Sequence, residues 1–264
     1  VGAQIKGGVA GIVPCGSTGE AATLTHDEYR RVIVMTMEES RGEVVVIAGV
    51  ASNATWKAVE LAREAQSLGV DALLVLAPYY NKPTQEGLFQ HFTAVAVSTT
   101  LPIMVYNIPG RTAVNIAPAT LARLAEACPN IVAVKEAAGS LDQVSEILSL
   151  TRKLTVLSGD DSLTIPMMSA GARGVVSVVS KIAPRQTKNL CEAFLKGNIK
   201  KAARLHVEFF PLVKSLFLET NPIPVKAALE MMGLCDGRPR LPLTPLTAPS
   251  RATLKKRLKA FGLI

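Results

Sequence analysis

Lys135 follows a short apolar segment, where a charged side chain is costly. The segment Ile131–Val134 is rich in β-branched residues and is typical of a buried strand. Burial disfavours the protonated amine and lowers its pKa, and a neutral lysine amine can attack a carbonyl carbon to form a Schiff base. A lone lysine at a strand end more often reaches solvent or pairs with an acid such as Glu136. The interpretation of Lys135 therefore depends on the residues around it.

Polar groups suited to proton transfer and carboxylate binding follow several other apolar segments. Phenols and hydroxyls can move protons between carbinolamine, imine and enamine without adding permanent charge. Backbone amides and hydroxyls of a Gly-Ser-Thr-Gly loop can bind one carboxylate, and Arg111 can bind a second through a bidentate pair. This combination predicts carbon–carbon bond formation between two acids at one lysine. The polar segments are Gly16–Glu20, Tyr79–Asn81, Tyr106–Thr112, Lys135–Glu136 and Ser158–Asp161.

Apolar segments alternate along the chain with segments of helical periodicity, so the predicted unit is a strand followed by a helix. Strands that are apolar throughout and joined in this way must be parallel. Thr25 and Glu28 have the spacing of a helix capping box, and Gly69 is placed to end a helix. The seven predicted strands are Val9–Cys15, Val44–Val50, Ala72–Pro78, Pro102–Ile108, Ile131–Val134, Leu154–Leu157 and Gly174–Val179.

Repeated units of this kind build either an open doubly wound sheet or a closed (β/α)8 TIM barrel. No GxGxxG or phosphate-binding loop follows the first strand, which favours the barrel. Seven strands are one short of closure, so we expect an α/β barrel that lacks its first strand in this chain. A small helical region is predicted to follow, giving a barrel domain at 1–197 and a helical domain at 198–264. Its helices are expected at Lys201–Leu218, Val225–Met232 and Arg251–Ala260.

Composition argues against several other classes of protein. The 264 residues are 48% hydrophobic, with no apolar run long enough to cross a bilayer, so we expect a globular protein with no membrane role. Four cysteines lie far apart, which fits reduced thiols in the cytoplasm, and three scattered histidines give no metal signature. We expect neither a metal nor a cofactor.

The net charge of +8 raises the question of nucleic acid. The basic cluster near the end of the chain falls on the polar side of a predicted helix, and no aromatic residues interleave with it for base stacking. We therefore predict no nucleic-acid partner. The cluster consists of Arg251, Lys255, Lys256, Arg257 and Lys259.

Taken together, the motifs resemble the dihydrodipicolinate synthase branch of the pyruvate-dependent class I aldolases. The resemblance covers essentially the whole chain and runs in the family's order and spacing. It implies a lyase of lysine (diaminopimelate) biosynthesis that condenses pyruvate with aspartate 4-semialdehyde. The motifs are GSTGEAATLTHDE, PYYNKPTQEG, YNIPGRT, VKEA, SGDD and NPIPVK.

The resemblance also implies roles for the polar residues of these motifs. Lys135 would form the Schiff base with pyruvate, and Tyr106 would be the central proton donor and acceptor. Ser17, Tyr106 and Tyr80 would form a hydroxyl relay. Tyr80 would come from the neighbouring subunit, so the active form would be a homodimer or a homotetramer.

Four further residues would bind the substrates. The backbone of Thr18 would hold the pyruvate carboxylate, and Arg111 would hold the carboxylate of aspartate semialdehyde. The main chains of Gly159 and Val176 would line the pocket.

Two alternative functions stay open. Ser17 stands where the branch usually has threonine, and Gly-Ser-Thr-Gly-Glu also occurs in the sialic acid lyase branch, which includes N-acetylneuraminate lyase. Arg111 and Tyr80 favour the synthase, because a sugar-acid lyase has no second small carboxylate to bind. A non-catalytic metabolite-binding barrel is the alternative from another class.

Many members of this branch are inhibited by lysine at a subunit interface. The resemblance places that effector site near His26, Asn53 and Tyr79. Lysine-sensitive members carry a glutamate on the helix after Asn53, whereas this chain has Lys57 there. Like charge repels a lysine effector, so we expect an enzyme insensitive to lysine.

Overall fold

The computed structural model describes residues 1–264 as a parallel sheet with helices between its strands. The six strands are β1 (Gly11–Ile12), β2 (Val45–Val50), β3 (Ala72–Leu76), β4 (Ile103–Asn107), β5 (Ile131–Glu136) and β6 (Thr155–Ser158). The helices before β6 are α1 (Gly2–Gly7), α2 (His26–Ser40), α3 (Thr55–Ser67), α4 (Gln85–Val97), α5 (Pro109–Thr112), α6 (Pro118–Ala127) and α7 (Leu141–Leu150). Those after it are α8 (Thr164–Ala170), α9 (Pro184–Leu195), α10 (Ile199–Ser215), α11 (Ile223–Met231) and α12 (Ala248–Ala260).

The strands pair in sequence order, β1-β2-β3-β4-β5-β6, and every pair is parallel. The predicted strand at Gly174–Val179 is wrong in extent, because the structure has only a bridge between Ser158 and Val175 there. The amides of Val178 and Val179 donate to the buried Asp161 carboxylate, at 2.8 and 3.2 Å, instead of to a neighbouring strand. A side chain therefore ends this strand.

Side chains alternate between the two faces of the sheet, and both faces are buried. On β3, Leu73 and Val75 belong to the large core cluster between the sheet and helices α2 to α8. Leu74 and Leu76 face the other side, in a small cluster that extends from Val13, just after β1, to Val176. Since both ends of the sheet contribute to one inner cluster, the sheet is curled.

A second large core cluster packs the chain after β6. It joins residues of α8 and α9, such as Ile165 and Leu190, to residues of α10 through α12, such as Leu212 and Leu258. The C-terminal helices therefore lie against the last two helices before them. The predicted domain boundary between residues 197 and 198 stays a prediction.

Local sequence signals define where two of the helices begin and end. The predicted capping box is confirmed, because the side chains of Thr25 and Glu28 each bond the other's backbone amide at the start of α2. Helix α3 ends at Ser67, and Gly69 follows with φ of +83°, a value that glycine adopts without strain. None of the helices combines the length and the apolar character needed to span a membrane.

Candidate active site

Lys135 and Tyr106 lie side by side at the carboxyl ends of β5 and β4. Their Cα atoms are partners in the register of the two strands, so both side chains enter the inside of the curled sheet. The Lys135 Nζ atom lies 3.9 Å from the centroid of the Tyr106 ring. Lys135 is therefore inside its strand, one residue before β5 ends, and not beyond its end as the apolar segment suggested.

The Lys135 amine titrates far below an ordinary lysine. Burial, together with the nearby charges of Lys181 and Arg111, lowers its pKa to about 7, and only Asp161 opposes them. An ammonium in this position has lost much of its hydration, which favours the neutral amine. A substantial fraction of Lys135 is then nucleophilic near neutral pH.

Gly159 leaves room for the Lys135 side chain. A Cβ atom built on Gly159 would lie 2.6 Å from the Ala137 Cβ and 3.2 Å from the Lys135 Cε. Any larger residue would therefore push the nucleophile out of place. The Gly159 amide donates to the Glu136 carbonyl at 2.8 Å, and Val176 packs in the same inner cluster.

The loop after β1 brings Ser17 and Thr18 to this site. Its backbone passes so close to β2 that a Cβ atom on Gly49 would lie 2.0 Å from the Cys15 carbonyl oxygen, which only glycine permits. Cys15 adopts a φ of +55°, and the chain then turns into a short 3₁₀ segment at Ser17–Gly19. The close contact fixes where the loop leaves the strand.

Tyr106 remains a protonated phenol at neutral pH. Its side chain is buried, which raises its pKa, and the Ser17 hydroxyl and the Arg111 charge oppose this only in part. A neutral phenol beside the amine can donate a proton to a departing hydroxyl, and Ser17 lies where it can return one. The structure thus brings Lys135, Tyr106 and Ser17 together in one chain.

Arg111 and Thr18 meet at a residue that the sequence reasoning did not single out. Asn221 donates from Nδ2 to the Thr18 Oγ1 at 3.0 Å, and its carbonyl oxygen accepts from the Arg111 guanidinium at 2.9 Å. Asn221 is part of the NPIPVK motif, but no periodicity or charge pattern marks it. Its contacts lie 203 and 110 residues away in the sequence.

Two further charged groups lie near Lys135, and the sequence analysis assigned neither of them a role: Asp161, at the end of the polar segment after β6, and Lys181. The Asp161 carboxylate is buried and accepts from the Ser177 hydroxyl at 2.5 Å, and burial raises its pKa. Lys181 lies four residues after Ser177, and its Nζ atom has only a long contact of 3.4 Å with the Ser177 carbonyl oxygen. Burial lowers the pKa of Lys181, and Asp161 opposes this. The Lys181 amine is therefore poorly solvated, and its charge is one of the causes that lower the pKa of Lys135.

Tyr80 does not join this cluster within one chain. Its side chain is 87% exposed, and its backbone has a φ of +73°, which is strained for an aromatic residue. The neighbouring Tyr79 is 37% exposed. Both residues therefore reach the surface of their own chain.

Of the four residues of the predicted effector site, Asn53 is half-buried and the other three are exposed. His26 bonds Glu64 of α3 at 3.1 Å, and the Asn53 carbonyl accepts from the Asn81 side chain at 2.8 Å. Lys57 is exposed on α3 and takes part in none of the salt bridges. Lys57 therefore has no salt-bridge partner within one chain.

Comparison with known proteins places these features in a family. The model of the dihydrodipicolinate synthetase family matches residues 1–261. The chain is 52% identical over 262 residues to the 4-hydroxy-tetrahydrodipicolinate synthase of Pelobacter propionicus, covering 99% of this chain and 90% of that protein.

Solved structures agree. A monomeric dihydrodipicolinate synthase variant superposes with a TM-score of 0.98 at 44% identity, covering 99% of this chain and 89% of that one. The enzyme from Cyanidioschyzon merolae with lysine bound superposes with a TM-score of 0.97 at 42% identity, again covering 99% of this chain and 89% of that one. The predicted α/β class is thereby confirmed, and the curled parallel sheet fits a TIM barrel. The chain belongs to the dihydrodipicolinate synthetase family.

Proposed function

We propose that this chain is a 4-hydroxy-tetrahydrodipicolinate synthase that condenses pyruvate with aspartate 4-semialdehyde. The observation that carries the proposal is the Lys135 amine, with a pKa of about 7, lying 3.9 Å from the ring centroid of Tyr106. The names of close relatives over nearly the whole chain support the same activity and favour it over N-acetylneuraminate lyase or a non-catalytic barrel.

In the proposed reaction, the neutral Lys135 amine attacks the keto carbon of pyruvate. Tyr106 supplies the proton with which the carbinolamine hydroxyl leaves as water, giving an iminium ion. Loss of a methyl proton, passed through the Tyr106 and Ser17 hydroxyls, gives the enamine. The enamine carbon then attacks the aldehyde, which takes up a proton as the new carbon–carbon bond forms.

Binding of the two acids is assigned to different parts of the site. The Thr18 backbone and the main chains of Gly159 and Val176 would hold pyruvate, and Arg111 would hold the carboxylate of the semialdehyde. Arg111 is an exposed residue, which supports a role in capturing the second substrate from solution.

We further propose that the protein acts as a homodimer or homotetramer, because the family resemblance implies that Tyr80 comes from a neighbouring subunit. The support is its 87% exposure and strained backbone, both of which suit a residue held by a partner. A monomeric variant among the relatives shows that the fold itself does not require association.

The test is a steady-state assay with three substrates. Turnover of pyruvate with aspartate 4-semialdehyde, together with slow or absent cleavage of N-acetylneuraminate, is expected. Arg111→Ala should still form the pyruvate adduct but lose about 2–4 kcal/mol of transition-state stabilisation with the semialdehyde. Faster cleavage of N-acetylneuraminate than condensation would overturn the proposal in favour of a lyase.

A further inference from the structure

Asn221 lies where the C-terminal helices meet the carboxyl ends of the strands. It is the only residue whose hydrogen bonds reach both Thr18 and Arg111. In the function proposed above, these two residues bind the carboxylates of the two substrates. Asn221 thus connects Thr18 and Arg111, two substrate-binding residues that are 93 positions apart in the sequence.

The side chain of Asn221 is poorly explained by stability. The residue is 6% exposed, and its Oδ1 atom is buried without any hydrogen-bond donor. An unsatisfied buried acceptor costs at least as much stability as one ordinary hydrogen bond, such as the single bond to Thr18, supplies. Unsatisfied groups of this kind concentrate at functional sites, where a local rule is broken for another reason.

Asn221 is itself held rigidly. It immediately precedes Pro222 and helix α11, whose first residue Ile223 is 7% exposed. Three residues into that helix, Lys226 bonds Glu20 of the same loop that carries Thr18, at 2.5 Å. The segment from Asn221 into α11 therefore holds the loop at two points, through Asn221 at Thr18 and through Lys226 at Glu20.

We propose that Asn221 is a positioning residue that sets the distance between the Thr18 loop and the Arg111 guanidinium. The proposal rests on the function proposed above, and it adds a role for the C-terminal helices in that function. The amide side chain anchors the loop, while the carbonyl oxygen of the same residue orients Arg111. One rigid residue thereby fixes the separation at which the two acids are presented to each other.

The experiment compares Asn221→Ala with Asn130→Ala, a matched asparagine far from the site. Asn130 donates to the carbonyls of Ala96, Thr99 and Leu101, so its loss should lower the melting temperature and leave both KM values unchanged. Asn221→Ala removes an unsatisfied acceptor along with one bond, so its melting temperature should change little. Its KM for pyruvate should rise and its kcat should fall about tenfold to a hundredfold, as expected for misplaced reactants.

A second variant tests the same bond from the other side. Thr18→Val removes the acceptor of the Asn221 side chain. The double variant Thr18→Val with Asn221→Ala should have a KM for pyruvate and a kcat no worse than those of either single variant. If Asn221→Ala does not fold, Thr18→Val alone should show the same rise in KM.

Two results would overturn the proposal. One is a lowered melting temperature in Asn221→Ala with parental KM and kcat, and the other is full additivity of the two substitutions. Borohydride trapping of pyruvate on the parent protein tests the proposed function separately. A parent that traps pyruvate, with an Asn221→Ala variant of unchanged kinetics, would refute the positioning role alone.

Discussion

At the scale of single residues, the charges around Lys135 decide whether it is a nucleophile. Burial is the largest cause of its low pKa, and the Lys181 charge is the second. Lys181 lies in a turn whose amides are taken by the Asp161 carboxylate, so backbone hydrogen bonds hold it near the amine. We infer that Lys181 keeps part of the Lys135 population neutral.

Lys181→Met should shift the pH dependence of Schiff-base formation upward. Because Lys181 lowers the pKa of Lys135, its loss raises that pKa above about 7, and the amine then becomes neutral only at higher pH. A shift of half a unit would reduce the neutral fraction at pH 7 about twofold. The measurement is the rate of adduct formation at low pyruvate across pH. Lys181→Arg keeps the charge and should keep the parental midpoint, and an unmoved midpoint in Lys181→Met would contradict the inference.

At the scale of elements, helix α11 holds the loop after β1 through a nearly buried ion pair. Lys226 and Glu20 lie 2.5 Å apart, with 20% and 12% of their side chains exposed. The Arg240 amide also donates to Glu20, at 2.7 Å. Burial alone would raise the pKa of Glu20, but these bonds outweigh it and the pKa is lowered.

Lys226→Met should destabilise the protein by about 2 kcal/mol, because it leaves the Glu20 carboxylate without its main partner. The double variant Lys226→Met with Glu20→Gln should recover much of this, since it leaves no unpaired charge. Urea unfolding of all four proteins gives the coupling energy. In the parent, the ion pair stabilises the folded state at pH values above the ordinary pKa of a glutamate. This stabilisation should be lost as the pH falls through the lowered pKa that Glu20 has in the folded state. Simple additivity would show that the pair is not coupled.

Sequence patterns predicted the elements well wherever a local signal exists. The apolar segments located all six strands, and the Thr25 capping box located the start of α2. The predicted seventh strand, Gly174–Val179, was wrong in extent because amides at its end donate to the Asp161 carboxylate. Hydrophobic periodicity contains no information about such a side-chain acceptor.

The same limit applies to the site. Lys135 and Tyr106 could be predicted, because a lysine and a phenol at strand ends interrupt apolar segments. Asn221 and Lys181 could not, because the groups on which they act come from distant parts of the chain and neither residue breaks a pattern.

At the scale of the whole molecule, two surface features have no partner within one chain. Tyr80 is exposed in a strained conformation, and Lys57 presents an unpaired charge on α3. Both fit a surface that meets another copy of the chain, as the family resemblance implies. Each makes a different prediction about the assembled enzyme.

Mixed oligomers should recover activity that neither inactive parent has. Tyr80→Ala and Lys135→Ala subunits, refolded together, can form one complete site from the Lys135 of one chain and the Tyr80 of the other. Recovery of up to about a quarter of parental turnover is expected for dimers that mix at random. Activity of Tyr80→Ala alone at the parental level would remove the case for a shared site.

Lysine should be a poor inhibitor of this enzyme. Lys57 replaces an attractive carboxylate with a like charge, which can remove a few kcal/mol of binding to a lysine ammonium group even when partly screened. Turnover measured over rising lysine concentration tests this, and Lys57→Glu should gain inhibition. Strong inhibition of the parent by sub-millimolar lysine would mean that another acid binds the effector.

The role of Lys135 as the covalent nucleophile is tested most directly by mass spectrometry after borohydride reduction with pyruvate. The parent should gain the mass of one reduced pyruvate per chain, and the modified peptide should contain Lys135. Lys135→Arg keeps the charge without a usable amine and should gain nothing. An adduct on Lys181 or any other lysine, or no adduct on the parent, would contradict the account.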